Sequence, residues 1–317
     1  MTPDPGSETI MDGSGDPAAE HVAIADLPAA DEPVPPARGQ APGTIDDWLR
    51  WGTAQLRETS SSARLDAELL LGQVLGAGRT ALRVSGTDSI AAQMALHYAA
   101  LVERRRLGEP VAYLSGRRGF WSLELEITPA VLVPRPETEL LVEWALERLR
   151  GLPAPRVADL GTGSGAIALA LAAERPDARL IATDISAEAL EQAQRNARRL
   201  GIANVEFRLA DWCEGLAGQT LDLIVANPPY VAPGDPCLEA LRHEPRRALV
   251  AANDGLAALE QIAAGAPAHL RSGAALLLEH GAGQGAAVRR MLVAGGYAEV
   301  ATRSDLAGHE RASGGVR

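Results

Sequence analysis

Apolar and polar positions follow three regimes along the chain. Up to about residue 42 the apolar residues keep no period, and Pro, Gly, Ala, Asp and Glu dominate. Such a stretch cannot bury enough surface to offset the entropy of ordering, so residues 1–42 are expected to form a disordered acidic tail. From 43 to 110 the spacing is helical. Thr44 with Asp47 resembles a capping box that opens a helix carrying Trp48, Leu49, Trp51 and Leu56. A second helix is expected over about 62–75, with Leu65, Leu69, Leu70 and Val74 at helical spacing and Gly76 as its stop. A third, over about 89–107, ends in Glu103-Arg104-Arg105-Arg106, read as a solvated face that complements the helix's negative end. Nothing in this small bundle looks catalytic.

Between 111 and 134 the period shortens to two. Phe120, Leu123, Leu125 and Ile127 alternate with polar residues, which predicts a β-hairpin linker. From 135 to 317 short apolar runs alternate with helical stretches. A helix is predicted from Pro136 through Arg150, where Pro136 suits a first turn and Glu137 and Glu139 its positive end. Strands follow at 156–160, 179–183, 205–209, 221–226 and 274–279, with helices at 256–270 and 284–293 and a closing strand pair from about Tyr297. The alternation predicts an α/β domain with a doubly wound, mostly parallel sheet of seven strands.

The fourth of these strands ends in Asn227-Pro228-Pro229-Tyr230. Two prolines cannot continue a central strand, so the tetrapeptide is expected in the crevice beyond the strand's carboxyl end, where open α/β sheets take their ligands. It offers the Asn227 carboxamide, the Pro228 carbonyl and the Tyr230 ring. Two acceptors and an aromatic face suit a planar group bearing an NH2. Such a nitrogen is a poor nucleophile, and hydrogen bonds from both its hydrogens raise its electron density and fix its approach. With no His, Asp or Glu in the motif, the proton is expected to leave after the new bond forms. Asn227, Pro228 and Tyr230 are the candidate catalytic residues, and Asn227, Pro228, Pro229 and Tyr230 the candidate acceptor site.

The first strand runs into Gly161-Thr162-Gly163-Ser164-Gly165, where glycines let a ligand approach the backbone at a strand-to-helix turn. The second ends in Asp184, placed to hold ribose hydroxyls. Both features fit NAD as well as S-adenosylmethionine. Trp212, beyond the third strand, either stacks on an adenine with Asp211 near its amine or closes the core edge.

Composition narrows the alternatives. The formal net charge is −11, of which residues 1–40 account for seven by holding eight acidic residues and one Arg. The remainder is mildly acidic and gives no footprint for duplex nucleic acid. No apolar run is long enough to span a membrane, and no basic segment followed by an apolar stretch marks a signal peptide. Cys213 and Cys237 lack redox or metal spacing, and the six histidines lack ligand spacing. A cytoplasmic monomer without a metal site is expected.

The order of glycine loop, acidic residue and NPPY resembles class I S-adenosylmethionine-dependent methyltransferases acting on planar NH2 groups. A dehydrogenase leaves NPPY unexplained. The hairpin segment Gly116–Trp121, the stretch Pro134–Glu139, DLGTGSGAIALALA from Asp159, NPPY, Glu244-Pro245 and RLDAELLLGQVLG over Arg64–Gly76 are together similar to the HemK-type release factor glutamine methyltransferases. The resemblance covers about residues 44–311. It implies S-adenosylmethionine as cofactor and, as substrate, the glutamine in the Gly-Gly-Gln loop of class I peptide chain release factors. It also implies cofactor contacts from Gly161, Thr162, Gly163, Ser164, Gly165, Asp184, Trp212 and Asn227, and docking of the release factor on the helical domain. One departure is Gly119, where the family often carries an acidic residue. The competing readings are a methyltransferase for adenine or guanine amines, which would have to hold phosphates and flip or capture a base, and a noncatalytic adaptor for a translation factor.

Overall fold

The computed structural model describes residues 43–317, so the tail expected over 1–42 lies outside the described residues. Helix α1 (Ile45–Leu56) starts at the capping box: the Thr44 hydroxyl accepts from the Asp47 N–H, and the Asp47 carboxylate accepts from the Thr44 N–H. Helix α2 (Ala63–Leu75) stops at Gly76, which takes the left-handed conformation at φ 62°. A short α3 (Arg79–Val84) follows, too brief to show a period in the sequence. Next come α4 (Ala92–Arg106) and α5 (Val111–Ser115). Leu49, Leu56, Leu70, Leu71, Leu82, Tyr98 and Val102 pack together as the core of this bundle.

Two expectations need correcting here. The arginine run of α4 is not simply a solvated face, because Arg105 pairs at 2.7 Å with Asp66, which is buried. Removing one partner of such a pair strands a buried charge. The hairpin does not begin at Val111 either. Pro110 presets the backbone for a helical turn over 111–115, which Gly116 ends at φ 69°. The hairpin is confined to β1 (Arg117–Phe120) and β2 (Leu123–Glu126), paired antiparallel.

A 3₁₀ turn over Pro136–Thr138 leads into α6 (Glu139–Arg148), so the helix expected from Pro136 starts with a tighter turn. The chain then alternates through β3 (Arg156–Leu160), α7 (Ala166–Glu174), β4 (Arg179–Asp184), α8 (Ala187–Leu200), β5 (Val205–Leu209) and β6 (Leu221–Ala226). After the short α9 (Cys237–Ala240) come α10 (Ala257–Gly265), β7 (Leu270–Glu279), α11 (Gly285–Ala294), β8 (Ala298–Ser304) and β9 (Glu310–Val316). Helix α10 stops five residues short of the Leu270 end expected for it. A 3₁₀ turn containing Pro267 replaces its last turn, and β7 takes up Leu270–Gly273 ahead of the predicted Ala274 start.

The seven strands are ordered β5-β4-β3-β6-β7-β9-β8, parallel except where β9 pairs antiparallel with β7 and β8. Side chains alternate across the sheet, as strand geometry requires. Val157, Leu223, Val225 and Leu277 face a core with α6 and α7 through Leu141, Val142, Leu169 and Leu171. Ala158, Leu160, Ala226, Leu276 and Leu278 face the other core, with Leu259 and Ile262 of α10 and Val288 and Leu292 of α11. Helices on both faces make the sheet doubly wound. From β3 the chain first moves outward to β4 and β5, then returns to β6 on the opposite side. The strand order therefore reverses between β3 and β6, and a crevice opens beyond their carboxyl ends. No helix among the described residues is long and apolar enough to cross a membrane.

Candidate active site

That crevice is an open cleft. Gly161 and Gly163 after β3, Asp184 after β4, Trp212 after β5, and Asn227 and Pro229 after β6 all line it. Four consecutive parallel strands thus deliver their carboxyl-end residues to one place. The remaining predicted positions lie behind the wall. Thr162 and Ser164 are buried, as is Gly165, where an added Cβ would stand 2.9 Å from Leu169 and 3.2 Å from Ala193. That glycine serves close packing of α7, while Gly161 and Gly163, at φ 73° and 56°, give the loop its left-handed turns. Pro228 is buried and Tyr230 partly so; neither borders the cleft.

The glycine loop is held from three sides. Gly161 and Thr162 N–H groups both donate to the Thr183 carbonyl, at 2.8 and 2.9 Å. The Gly163 N–H donates to one Asp184 oxygen at 2.9 Å, and the Ser186 N–H to the other at 2.9 Å. Asn196, on α8, donates to the carbonyls of Ser164 and Glu126 and accepts from the Glu126 N–H. This fully buried amide clasps the hairpin to the glycine loop.

The walls suit an adenosine-type ligand. Ile185 borders the cleft while 62% exposed, an apolar surface with nothing of the protein over it. Trp212 forms a second wall. It also packs against the core beneath the sheet, and its ring would meet a Cβ on Gly161 at 2.9 Å. Trp212 thus closes the core edge, as one of its two readings expected, and also lines the cleft. Asp184 brings a carboxylate whose oxygens each keep a further lone pair for hydroxyl donors.

On the acceptor side, the Asn227 Nδ2 donates to the Thr138 hydroxyl at 3.1 Å. Among the described residues nothing donates to its Oδ1 or to the Pro228 carbonyl, so Asn227, which borders the cleft, and the buried Pro228 beside it each keep an unclaimed acceptor. Two free acceptors therefore sit one residue apart. The Tyr230 hydroxyl donates to Glu279 at 3.2 Å. Glu244, also buried, accepts from the Val133 N–H and pairs with Arg135, joining the segment before α6 to the loop that carries Arg247 and Ala248 along the cleft.

Residues 47–116 match the family described as PrmC N-terminal domain, and residues 136–254 the methyltransferase small domain. A release factor glutamine methyltransferase of Xylella fastidiosa is 53% identical over 259 residues, which cover 81% of this chain and 94% of that one. The chain belongs to the release factor glutamine methyltransferase family. A second relative of that name, from Escherichia coli, is 48% identical over 266 residues, covering 83% of this methyltransferase and 95% of its counterpart. The catalytic domain of hMettl16, solved with an RNA hairpin, is 16% identical at a TM-score of 0.52, covering 69% of this chain and 80% of that one. That likeness is one of fold.

Sequence reasoning gave no site role to several residues of the cleft and its supports, although Thr138 and Glu244 lie in stretches that carry the family resemblance. Ile185 and Arg247 border the cleft, and Thr138, Asn196, Glu244 and Glu279 support it from behind. Glu279 carried a signal, being an acidic residue at the end of the apolar run Leu276–Leu278. Asn196 carried none, because it stands among polar residues on a polar helix.

Asp159, at the root of the glycine loop, is a further buried carboxyl. Burial pushes it up to about 7, against the Thr162 hydroxyl and Ala168 N–H that favour its ionised form. Its Oδ1 has no partner among the described residues. Between about pH 4 and 7 the folded protein thus keeps a proton that the unfolded chain has released, and stability falls as pH rises through that window. Asp159→Asn removes this titration. In calorimetry of the ligand-free protein, the native Tm should fall more steeply across that window than the variant's. Parallel slopes would mean that Asp159 stays ionised in the fold.

Proposed function

We propose that this protein transfers a methyl group from S-adenosylmethionine to the side-chain amide nitrogen of the glutamine in the Gly-Gly-Gln loop of class I peptide chain release factors. The observation that carries this reading is the pair of unclaimed acceptors, Asn227 Oδ1 and the Pro228 carbonyl, at the end of β6. A primary amide has two hydrogens to give, and a planar acceptor is what such a pair can hold. Family membership supports the choice of glutamine over a nucleobase.

Gly161, Gly163, Asp184, Ile185, Trp212 and Asn227 would hold the cofactor, which supplies an electrophilic methyl group when bound. The protein's own contribution is positional and electrostatic. By accepting both amide hydrogens, Asn227 and Pro228 polarise the nitrogen and point its lone pair along one line. Neither acceptor is a strong base, so neither would take a proton from the nitrogen beforehand, and the extra proton would be shed to solvent after methylation. We further infer that residues 43–110 dock the release factor, that 111–134 link them to a catalytic unit over 135–317, and that the enzyme acts as a cytoplasmic monomer.

Mass spectrometry of a purified release factor, incubated with the protein and S-adenosylmethionine, tests the reading. One added methyl on the Gly-Gly-Gln glutamine is expected. Transfer to RNA or DNA instead would keep the chemistry and replace the substrate. Binding of the release factor with no transfer to any acceptor would favour an adaptor.

A further inference from the structure

The acceptor turn is stiff in its middle, so its two anchors decide where it points. The rings of Pro228 and Pro229 fix φ and leave no N–H to give. Nothing among the described residues donates to the Pro228 carbonyl, so its direction is set by how the chain is held on either side. On one side Ala226 ends β6, paired with Leu160 of β3 and Leu278 of β7. On the other, the Tyr230 carbonyl accepts from the Gln284 Nε2 at 3.0 Å, and among the described residues no other group donates to it.

The same Nε2 donates to the Asp254 carbonyl at 3.1 Å, and the Gln284 Oε1 accepts from the Gly281 N–H at 2.9 Å. All three partners are main-chain groups of fixed polarity, two carbonyls and one N–H, and they decide which way round the carboxamide sits. Two glycines make room for it. A Cβ on Gly255 would stand 2.1 Å from the Tyr230 oxygen and 2.8 Å from the Gln284 Nε2, and one on Gly281 would stand 3.1 Å from the Gln284 Oε1. Gly255, at φ 83°, follows Asn253 and Asp254, which also have positive φ, at 55° and 54°. Non-glycine residues in that region carry strain and persist where their surroundings hold them. Here the Asn253 Nδ2 donates to both oxygens of Glu260, at 2.7 and 2.8 Å, and Gln284 holds the Asp254 carbonyl. Gln284 is itself rooted in the first turn of α11, where its main-chain carbonyl accepts from the Val288 N–H at 3.0 Å.

We propose that Gln284 is a positioning residue for methyl transfer: it clamps the end of the acceptor turn to the strained turn before α10 and to the turn before α11, and so keeps the Pro228 carbonyl in line with the Asn227 Oδ1. The inference deepens the amide-methylation reading above and rests on it. Gln284 does not border the cleft, so it acts through Tyr230. The cofactor wall carrying Arg247 and Ala248 is tied separately. The Val231 N–H donates to the Leu249 carbonyl at 2.9 Å, and the Ala251 N–H to the Val231 carbonyl at 3.0 Å.

Rates of methyl transfer to a purified release factor, measured with the full chain beside calorimetric titration of S-adenosylmethionine, test the clamp. Gln284→Glu keeps the length and the acceptor for Gly281 but turns lone pairs onto two carbonyls. It should lower kcat about 10- to 100-fold, the scale of moving a reacting geometry by about 1 Å. KM for the release factor and cofactor affinity should stay within about threefold. Gln284→Ala should fall comparably. A loss caused only by weakened folding would add to that of any other variant. Placed on Asn227→Ala, where the paired acceptors are already broken, Gln284→Ala should instead cost no more than about threefold further. Near-native kcat in Gln284→Glu, or full additivity with Asn227→Ala, overturns the clamp. Should one Gln284 variant fail to fold, the other decides in both backgrounds. No transfer by the native protein would bring down the amide reading and the clamp with it; native transfer with unaffected variants removes the clamp only.

Discussion

Asn227→Ala is expected to lower kcat for amide methylation by about 10²- to 10³-fold, the loss seen when one aligned hydrogen-bonding group is removed from a preorganised site. Cofactor affinity should change by no more than about threefold, because the glycine loop, Asp184 and Trp212 remain in place. The asymmetry follows from what the side chain touches. Its Nδ2 is spent on Thr138, so only Oδ1 is available to the incoming nitrogen. Without it, one amide hydrogen has no acceptor, the nitrogen loses polarisation and the amide can rotate out of line. Single-turnover rates with saturating cofactor, beside calorimetric titration of the same variant, separate the two quantities. Turnover near the native level would remove Asn227 from the chemistry, and equal losses in binding and turnover would make it a cofactor ligand first.

The second large effect falls on binding. Asp184→Ala should weaken the affinity for S-adenosylmethionine about 30- to 150-fold, the roughly 2–3 kcal/mol expected when hydrogen bonds to a charged group are lost. Asp184 has two tasks. Its oxygens accept from the Gly163 and Ser186 N–H groups, fixing the glycine loop, and their outward lone pairs face the cleft. Burial raises its pKa, against the Ser186 and Gly163 N–H groups and the Arg247 charge that favour ionisation. Asp184→Asn keeps one acceptor oxygen and should fall between native and Ala. Calorimetric titration measures all three, with kcat at saturating cofactor falling less than affinity. Native affinity in Asp184→Ala would take the carboxylate out of the cofactor site.

Periodicity and punctuation made the sheet legible. Each parallel strand is a short apolar run ended by Gly, Asp or Pro, and those endings fall where ligands bind. The cleft residues Gly161, Gly163, Asp184, Trp212, Asn227 and Pro229 were readable for that reason. Thr162, Ser164 and Gly165 belong to the same motif, yet local backbone geometry turns them into the protein, which a motif cannot reveal. The start of the hairpin was misplaced because an apolar five-residue stretch is equally compatible with one helical turn; Pro110 decides between them. Support from Asn196 and Glu279 depends on contacts between elements far apart in sequence. Those partners become visible only once the sheet order is known.

The clasp made by Asn196 sets a limit on how far this protein can be taken apart. The matched methyltransferase small domain runs from 136 to 254. Glu126, which satisfies one side of the clasp, precedes that span, and Glu279 with the last three strands follows it. A fragment cut to those limits would leave a carboxamide buried under its glycine loop without the two Glu126 backbone groups it bonds, and would expose the edge of β6. The segment that carries the recognisable signature is therefore smaller than the body that can stand alone, and an excised catalytic unit must retain the hairpin and the carboxyl-terminal strands.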